Sequence, residues 1–469
     1  MWTEGPGRTR VGVGRVRPTP GRLAALEALG RVRLRSAYAR QTLHSVLRET
    51  TLDSRESALA TRLLYGTVLA LGHLDEAIDA RIHRPGRLEP RVRDALRVAA
   101  YELLYLSTPR PAAVHQGVEM VRTVRPQAVG LANAVLRRLA EDTDTFPWGD
   151  PGTDLDALAR LYGHPRWVVD LLVADIGEAD ARRMLEADTQ PPPLYLWHNP
   201  FLGTLDAAMR SLETDGVAVE PCGAPWCLRA GLPARAVKAR ALHEGRVLVC
   251  DRAAQVAALA SAPLRGVVVD LAAGRGTKTA QLQAVAAACG RETDLIALDV
   301  HPHKVGVLRE RLTHLAVPSF RAEVCDVTDP SALAAVLPPA SADLVLVDAP
   351  CSGLGTLRRH PDKLWRSTVE DIGRLATLQS RMLEAAASLV APGGAIVYAT
   401  CTVTRRENED VVMGFLAGPS GRGFHISSLS DRLSRYWEGE VRPEGWFQSI
   451  PRADGPDGHF VARLERDED

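Results

Sequence analysis

VVVDLAAGRGTK, Val267 to Lys278, is the stretch that decides the fold. Three valines lead to Asp270, and Gly274 and Gly276 follow before the apolar spacing becomes helical. A buried strand that turns sharply into a helix reads this way. Glycine lets the backbone bend and approach a ligand where a side chain would collide. Gly-rich strand-to-helix turns are common, and the next strand sharpens the reading. Leu295–Val300 carries Asp299, a carboxylate placed at the strand tip to accept both hydroxyls of a ribose. Asp326 follows the third strand, Phe320–Cys325, within reach of an adenine edge. A P-loop is excluded, because Lys278 is not embedded in G-x4-G-K-[ST]. A dinucleotide-binding fold stays open, although the third glycine of G-x-G-x-x-G is lacking. So does the bland alternative, that these aspartates only cap helices.

Onward from this turn, buried strands alternate with helices, which predicts a parallel sheet with crossover connections. Leu344–Ala349 and Ala395–Thr400 are the fourth and fifth strands, with the amphipathic helix Glu370–Val390 between them. Gly445–Ile450 and His459–Leu464 supply a closing hairpin. The fourth strand delivers Asp348-Ala-Pro-Cys351, and the fifth delivers Cys401, 50 positions later. Both thiols then stand at the carboxyl edge of the sheet, where open α/β folds bind ligands. Buried free cysteine is often only a small hydrophobe. That suits Cys289 and Cys325 better than two cysteines just past strand ends in polar loops.

Working back toward the start, 158–264 mixes helix and short strands, such as Leu194–Trp197 and Arg246–Cys250. Residues 141–157 hold six acids and no base among Pro and Gly, which predicts a linker. Residues 34–140 are helical throughout, and 1–33 read as a disordered basic arm. The chain is neutral overall, with 57 basic and 57 acidic residues, but 1–140 carries 23 Arg and no Lys against 12 acids. That excess predicts a nucleic-acid surface. Arg is the default cation, since Lys occurs only at 238, 278, 304 and 363. Seven cysteines without a pairing pattern point to reduced thiols, and Cys222 and Cys227 have the wrong spacing for zinc, so no metal is expected. No run of 18 apolar residues occurs, so no membrane is expected, and a cytoplasmic monomer is.

DAPCSG…RRHPD at Asp348–Asp362 and YATCT…EN at Tyr398–Asn408 resemble two motifs of the Nol/Nop/Sun family of RNA cytosine-5 methyltransferases. The Asp270–Lys278 turn, Asp299 and the closing Asp457-Gly458-His459-Phe460 are similar to its remaining landmarks. Upstream, LANAVLRRL at Leu131–Leu139 resembles the NusB-like domain of the RsmB type, which acts on small-subunit rRNA. The resemblance spans about residues 35 to 465. It implies a multidomain chain: an all-α NusB-like RNA-binding domain (34–140), a small α+β middle domain (158–264) and an α/β Rossmann-like class I methyltransferase domain (265–469). S-adenosylmethionine is the implied cofactor, contacted by Ala272, Ala273, Gly274, Arg275, Gly276, Thr277, Lys278, Asp299, Asp326 and Asp348. The implied nucleophile is Cys401, with Cys351 assisting product release.

The chemistry explains why thiols are needed. Carbon 5 of cytosine is too weak a nucleophile to take a methyl group directly. A thiolate adding at carbon 6, with Asp348 serving ring nitrogen 3, makes carbon 5 enamine-like. Two departures from the family pattern stand out. Arg275 and Thr277 replace Pro and Gly of the usual A-P-G-G-K turn, and Leu-Arg-x-Asn is here Leu196-Trp197-His198-Asn199. Arg358, Arg359, Lys363 and Trp365 combine cations with an aromatic after the Cys351 loop, which predicts RNA contact. The expected partner is ribosomal RNA in an assembling small subunit. The alternatives are a DNA cytosine-5 methyltransferase, or an RNA-binding, antitermination-like factor carrying an inactive methyltransferase fold.

Overall fold

The computed structural model describes residues 17–35, 38–437 and 440–468. It divides into two compact units, Met1–Pro165 and Arg166–Asp469. The first is a helical bundle. Helices Ser54–Leu69, Pro90–Tyr105, Arg110–Val124 and Val129–Glu141 bury Leu63, Leu64, Leu96, Met120, Leu136 and Leu139 in one core. Proline opens two of them at the first turn, where its missing N–H is no loss.

Two expected boundaries change. The arm expected over 1–33 lies partly outside the described residues, and its remainder is helix Pro20–Arg35. Ala24, Ala25, Ala28 and Leu29 bury one face of that helix, and Arg22 reaches the buried Glu102. Small alanines among arginines hid this stripe. The acidic segment 141–157 is not a free tether either. Phe146 packs edge-on against both Tyr105 and Trp148 at 5.2 Å, and the helix Leu155–Tyr162 completes the unit.

The second unit opens with two helices, Arg166–Ile176 and Glu178–Asp188, parted by Gly177. A small antiparallel sheet follows: β1 (Leu194–His198), β2 (Val219–Pro221), β3 (Cys227–Ala230) and β4 (Val247–Val249), in the order β2-β3-β1-β4. The large sheet holds β5 (Gly266–Asp270), β6 (Thr293–Asp299), β7 (Phe320–Val324), β8 (Ala342–Asp348), β9 (Val390–Thr400), β10 (Phe424–Ile426), β11 (Phe447–Ser449) and β12 (His459–Arg466). Its order is β10-β12-β9-β8-β5-β6-β7, with β11 also on β12. The five strands β5 to β9 run parallel and β12 antiparallel to β9. β10 has no sequence signal, being three residues long with no buried face.

The small and large sheets lie in one compact unit. Trp197 of β1 and Leu248 of β4 share a core with Ala280, Ala284, Leu308 and Leu312 from the helices behind β5 and β6. The chain leaves β5 for β6 and β7, then returns to β8 on the other side. That reversal opens a crevice at the carboxyl ends of β5 and β8. Among the described residues, no helix is long and apolar enough to cross a membrane.

Candidate active site

The crevice is built from the residue that ends each strand. Asp270 closes β5 fully buried and accepts from Thr279 Oγ1 at 2.8 Å; burial pushes its carboxyl up to about 7. Gly276 stands at φ +80°, which L side chains rarely adopt, and starts the helix Thr277–Ala288. Asp299 closes β6, 6% exposed, accepting from the Gly274 amide at 3.2 Å and the His301 amide at 2.9 Å. Lys304 lies 3.6 Å from the same carboxylate. Asp326, past β7, is exposed and accepts from Thr328 N and Oγ1 at 2.9 and 2.7 Å; these bonds hold its carboxyl below the usual range.

This edge suits S-adenosylmethionine. A Cβ added at Gly274 would meet only the Ala272 carbonyl, at 3.9 Å, so the turn leaves open space beside a fixed carboxylate. Arg275 and Thr277 fit the turn: the Arg275 carbonyl accepts from Arg311 at 3.4 Å, and Thr277 is the first helical residue.

Asp348 ends β8 and accepts from Lys278 Nζ at 2.6 Å. Burial works against the Lys278 charge, but Asp348 outweighs it and raises the ammonium pKa. The thiols of Cys351 and Cys401, from the loops after β8 and β9, lie 3.3 Å apart. Cys351 Sγ also accepts from the Cys401 amide at 3.3 Å. The pair is electrostatically unequal. Cys401 is lowered to about 7, first by the hydrogen bond from Cys351 and then, against burial, by Lys363. That same bond and burial raise Cys351. One thiol is thus poised as thiolate and its neighbour stays protonated.

What fixes the two loops was not legible in the sequence. Glu407, fully buried, accepts from the Ser352 amide at 2.8 Å, Ser352 Oγ at 2.5 Å and Thr404 Oγ1 at 2.9 Å. Gln379 donates to it at 3.1 Å, and Ser352 and Thr402 hydroxyls meet at 2.9 Å. Asn408 accepts from Thr400 Oγ1 at 2.6 Å and donates to the Thr402 carbonyl at 3.1 Å. Glu407 and Asn408 stood in the quoted motif without a role. Gly355 joins the loops: its amide donates to Cys401 O at 3.1 Å and its carbonyl accepts from Gly458 N at 2.8 Å. A Cβ there would collide with the Gly458 backbone.

The expected RNA contacts divide. Arg358 is 3% exposed, donating to Asp457 at 2.7 Å, Gly455 O at 2.7 Å and Arg452 O at 3.1 Å. Arg359 donates to Asp457 at 2.5 Å, Asp251 at 3.0 Å and Pro193 O at 2.9 Å. Arg358 is thereby consumed inside the protein and is not free for RNA, and Arg359 is anchored to the same core by Nε and Nη2. Lys363 and Trp365 are half-buried, and the Lys363 ammonium stands over Gly353. At the other departure, Trp197 is a core residue, and Asn199 Nδ2 donates to Gly245 O at 3.0 Å and Leu315 O at 2.9 Å. Both serve packing.

Three family models match successive segments of the chain. Residues 258–465 match the family described as 16S rRNA methyltransferase RsmB/F. Residues 19–141 match the NusB family, and 164–233 the ferredoxin-like domain of RsmF/B-like methyltransferases. Rv1407 of Mycobacterium tuberculosis, named as a methyltransferase, is 35% identical over 95% of this chain and 96% of its own. Ribosomal RNA small subunit methyltransferase B of Salmonella typhi is 31% identical over 90% of this chain and 94% of its own. In fold, the crystal structure of PH0851 superposes with a TM-score of 0.77 at 24% identity, covering 95% of this chain and 98% of that one. NSun6 from Pyrococcus horikoshii, solved with SFG, gives 0.54 at 17% identity over 65% of this chain and 99% of its own. The chain belongs to the RsmB/F family of 16S rRNA methyltransferases.

Proposed function

We propose that this protein methylates carbon 5 of a cytosine in small-subunit ribosomal RNA through a covalent adduct with Cys401. The observation that carries the reading is the unequal thiol pair, 3.3 Å apart, beside the Lys278–Asp348 pair. A methyltransferase acting on an already nucleophilic atom has no use for a thiolate at its sheet edge.

S-adenosylmethionine, when bound, supplies an electrophilic methyl group. Ala272 through Lys278, Asp299, Asp326 and Asp348 would hold it. The Cys401 thiolate adds to carbon 6 of the base. Asp348 holds ring nitrogen 3 and relays to it a proton from the Lys278 ammonium, which takes the proton back by the same route when the product forms, and carbon 5 becomes nucleophilic. Cys351 keeps its own proton and stabilises the departing Cys401 thiolate by the same hydrogen bond when the product leaves. Lys363 and Trp365 suit a phosphate and an unstacked base next to the thiols. In the helical unit, Arg84, Arg87 and Arg125 line a groove of about 310 Å³ suited to an RNA backbone. We expect the substrate to be rRNA within an assembling small subunit, met in the cytoplasm by a monomer.

Bisulfite sequencing of small-subunit rRNA from a strain lacking this gene tests the reading. One cytosine should lose protection, and purified protein should restore it. Labelled methyl transfer to duplex DNA instead of rRNA would favour a DNA enzyme. Transfer to neither would favour a binding factor.

A further inference from the structure

β12 brings to the site a residue that the reaction above does not use. Phe460 pairs with Thr400 and Val461 with Ala399, so the next step of the register sets His459 beside Cys401. Phe460 and Ala462 share one core with Ile396 and Tyr398, whereas Val461 shares the other with Val397 and Ala399. By alternation His459 and Cys401 fall on that second face. The imidazole is 6% exposed, and its Nδ1 has no hydrogen-bond partner among the described residues. An unsatisfied buried ring nitrogen costs free energy, and functional sites are where such a cost is retained. The charged groups facing it are Lys278, Asp457 and Asp348. Burial and then Lys278 push the imidazole down to about 4, so it rests neutral, and the Asp457 and Asp348 carboxylates are what favour a proton taken up there.

The proposed reaction has an opening for such a group. Once carbon 5 carries the methyl group, it still holds its original hydrogen. Cys351 is held protonated and acts as a donor, and Asp348 is tied to Lys278 at 2.6 Å. We propose that His459 is a further catalytic residue, the base that removes the carbon-5 proton. The C5–H bond breaks and its electron pair re-forms the C5=C6 double bond. The C6–S bond breaks in turn, and its pair returns to Cys401. The proton resides on His459, beside the Asp348 and Asp457 carboxylates.

This inference rests on the cytosine-5 reading, and one experiment separates the two. Full-length protein is given rRNA transcript carrying tritium at cytosine carbon 5 and cofactor with a radiocarbon methyl group. Wild type should release tritium in step with methylation. His459→Gly and His459→Asn should methylate in a single turnover, release tritium about a hundredfold more slowly, the low end for a general base, and accumulate protein–RNA adduct. Added imidazole should restore release in His459→Gly, a rescue that a purely structural role would not show. If wild type methylates without releasing tritium, the cytosine-5 reading fails and the inference with it. Release at the wild-type rate in both variants overturns the assignment of His459 alone. So does a joint loss of methylation and release, without adduct and without rescue by imidazole.

Discussion

Arg358 donates to Asp457 at 2.7 Å with both side chains closed off from solvent, joining positions 99 residues apart. Arg359 binds the other Asp457 oxygen and reaches Asp251. The loop that carries Cys351 is thereby tied to the loop that leads into β12 and to the end of the small sheet.

Arg358→Ala would leave Asp457 buried with half its partners, and breaking a buried pair costs about 3–5 kcal/mol. The expected outcome is a large fall in the urea midpoint together with lost activity. The slope of log RNA affinity against log salt should stay unchanged at concentrations where the protein is folded. A shallower slope with unchanged stability would return Arg358 to the RNA surface.

These two arginines also mark the limit of sequence reading. The cations of RRHPD beside a tryptophan look like an RNA grip, and nothing local shows that Asp457 and Asp251 fold beneath them. The central parallel strands were legible because they are apolar on both faces, and the thiols because each follows such a strand. How the segments pack was not. Composition marks 141–157 as a linker, while Phe146 and Trp148 anchor it, and Trp197 binds the small sheet into the core behind β5. Compositional breaks report solvation, whereas unit boundaries depend on which cores are shared.

That shared core makes a prediction about truncation. A fragment of residues 166–469 should fold and bind S-adenosylmethionine as the full chain does, measured by calorimetry. A fragment starting at 265 strips Trp197 and Leu248 from Ala280, Ala284 and Leu308, and should aggregate or bind nothing. Equal binding by both fragments would show that the small sheet is dispensable to the cofactor site.

Asp299 is the proposed ribose acceptor, and the Gly274 and His301 amides already hold it in place. Asp299→Ala should weaken cofactor binding by roughly 1.5–3 kcal/mol, about 10- to 150-fold in Kd, the range for hydrogen bonds to a charged group. An unchanged constant would place the ribose elsewhere.

Cys401 titrates near pH 7, below the ordinary thiol range, chiefly because Cys351 donates to it. Its alkylation by iodoacetamide, followed by peptide mass spectrometry, should therefore rise through pH 7 and level off above about pH 8. Lowering the pH protonates the thiolate and slows the reaction. Cys351→Ala removes the donor, so its midpoint should move up. Asp348→Asn removes a nearby negative charge that raises Cys401, so its midpoint should move down. A midpoint near 9 in wild type would leave Cys401 an ordinary thiol.

The inequality of the two thiols also separates their roles in turnover. A nucleophile is lost together with all chemistry, whereas a hydrogen-bond donor to the departing thiolate is lost only at the end. Cys401→Ala should abolish both methylation and every covalent RNA adduct. Cys351→Ala should still attack and methylate, then stall before elimination. Its protein–RNA adduct would survive denaturing electrophoresis and vanish on nuclease treatment. Because Cys351 also holds Cys401 ionised, that adduct should form slowly at pH 7 and faster toward pH 9, where the thiolate no longer needs its donor. Asp348→Ala should slow adduct formation about 100- to 10,000-fold, since no carboxyl then serves ring nitrogen 3. Adduct lost in Cys351→Ala and trapped in Cys401→Ala would exchange the two roles. Adduct formed equally by both variants would remove these thiols from the covalent step.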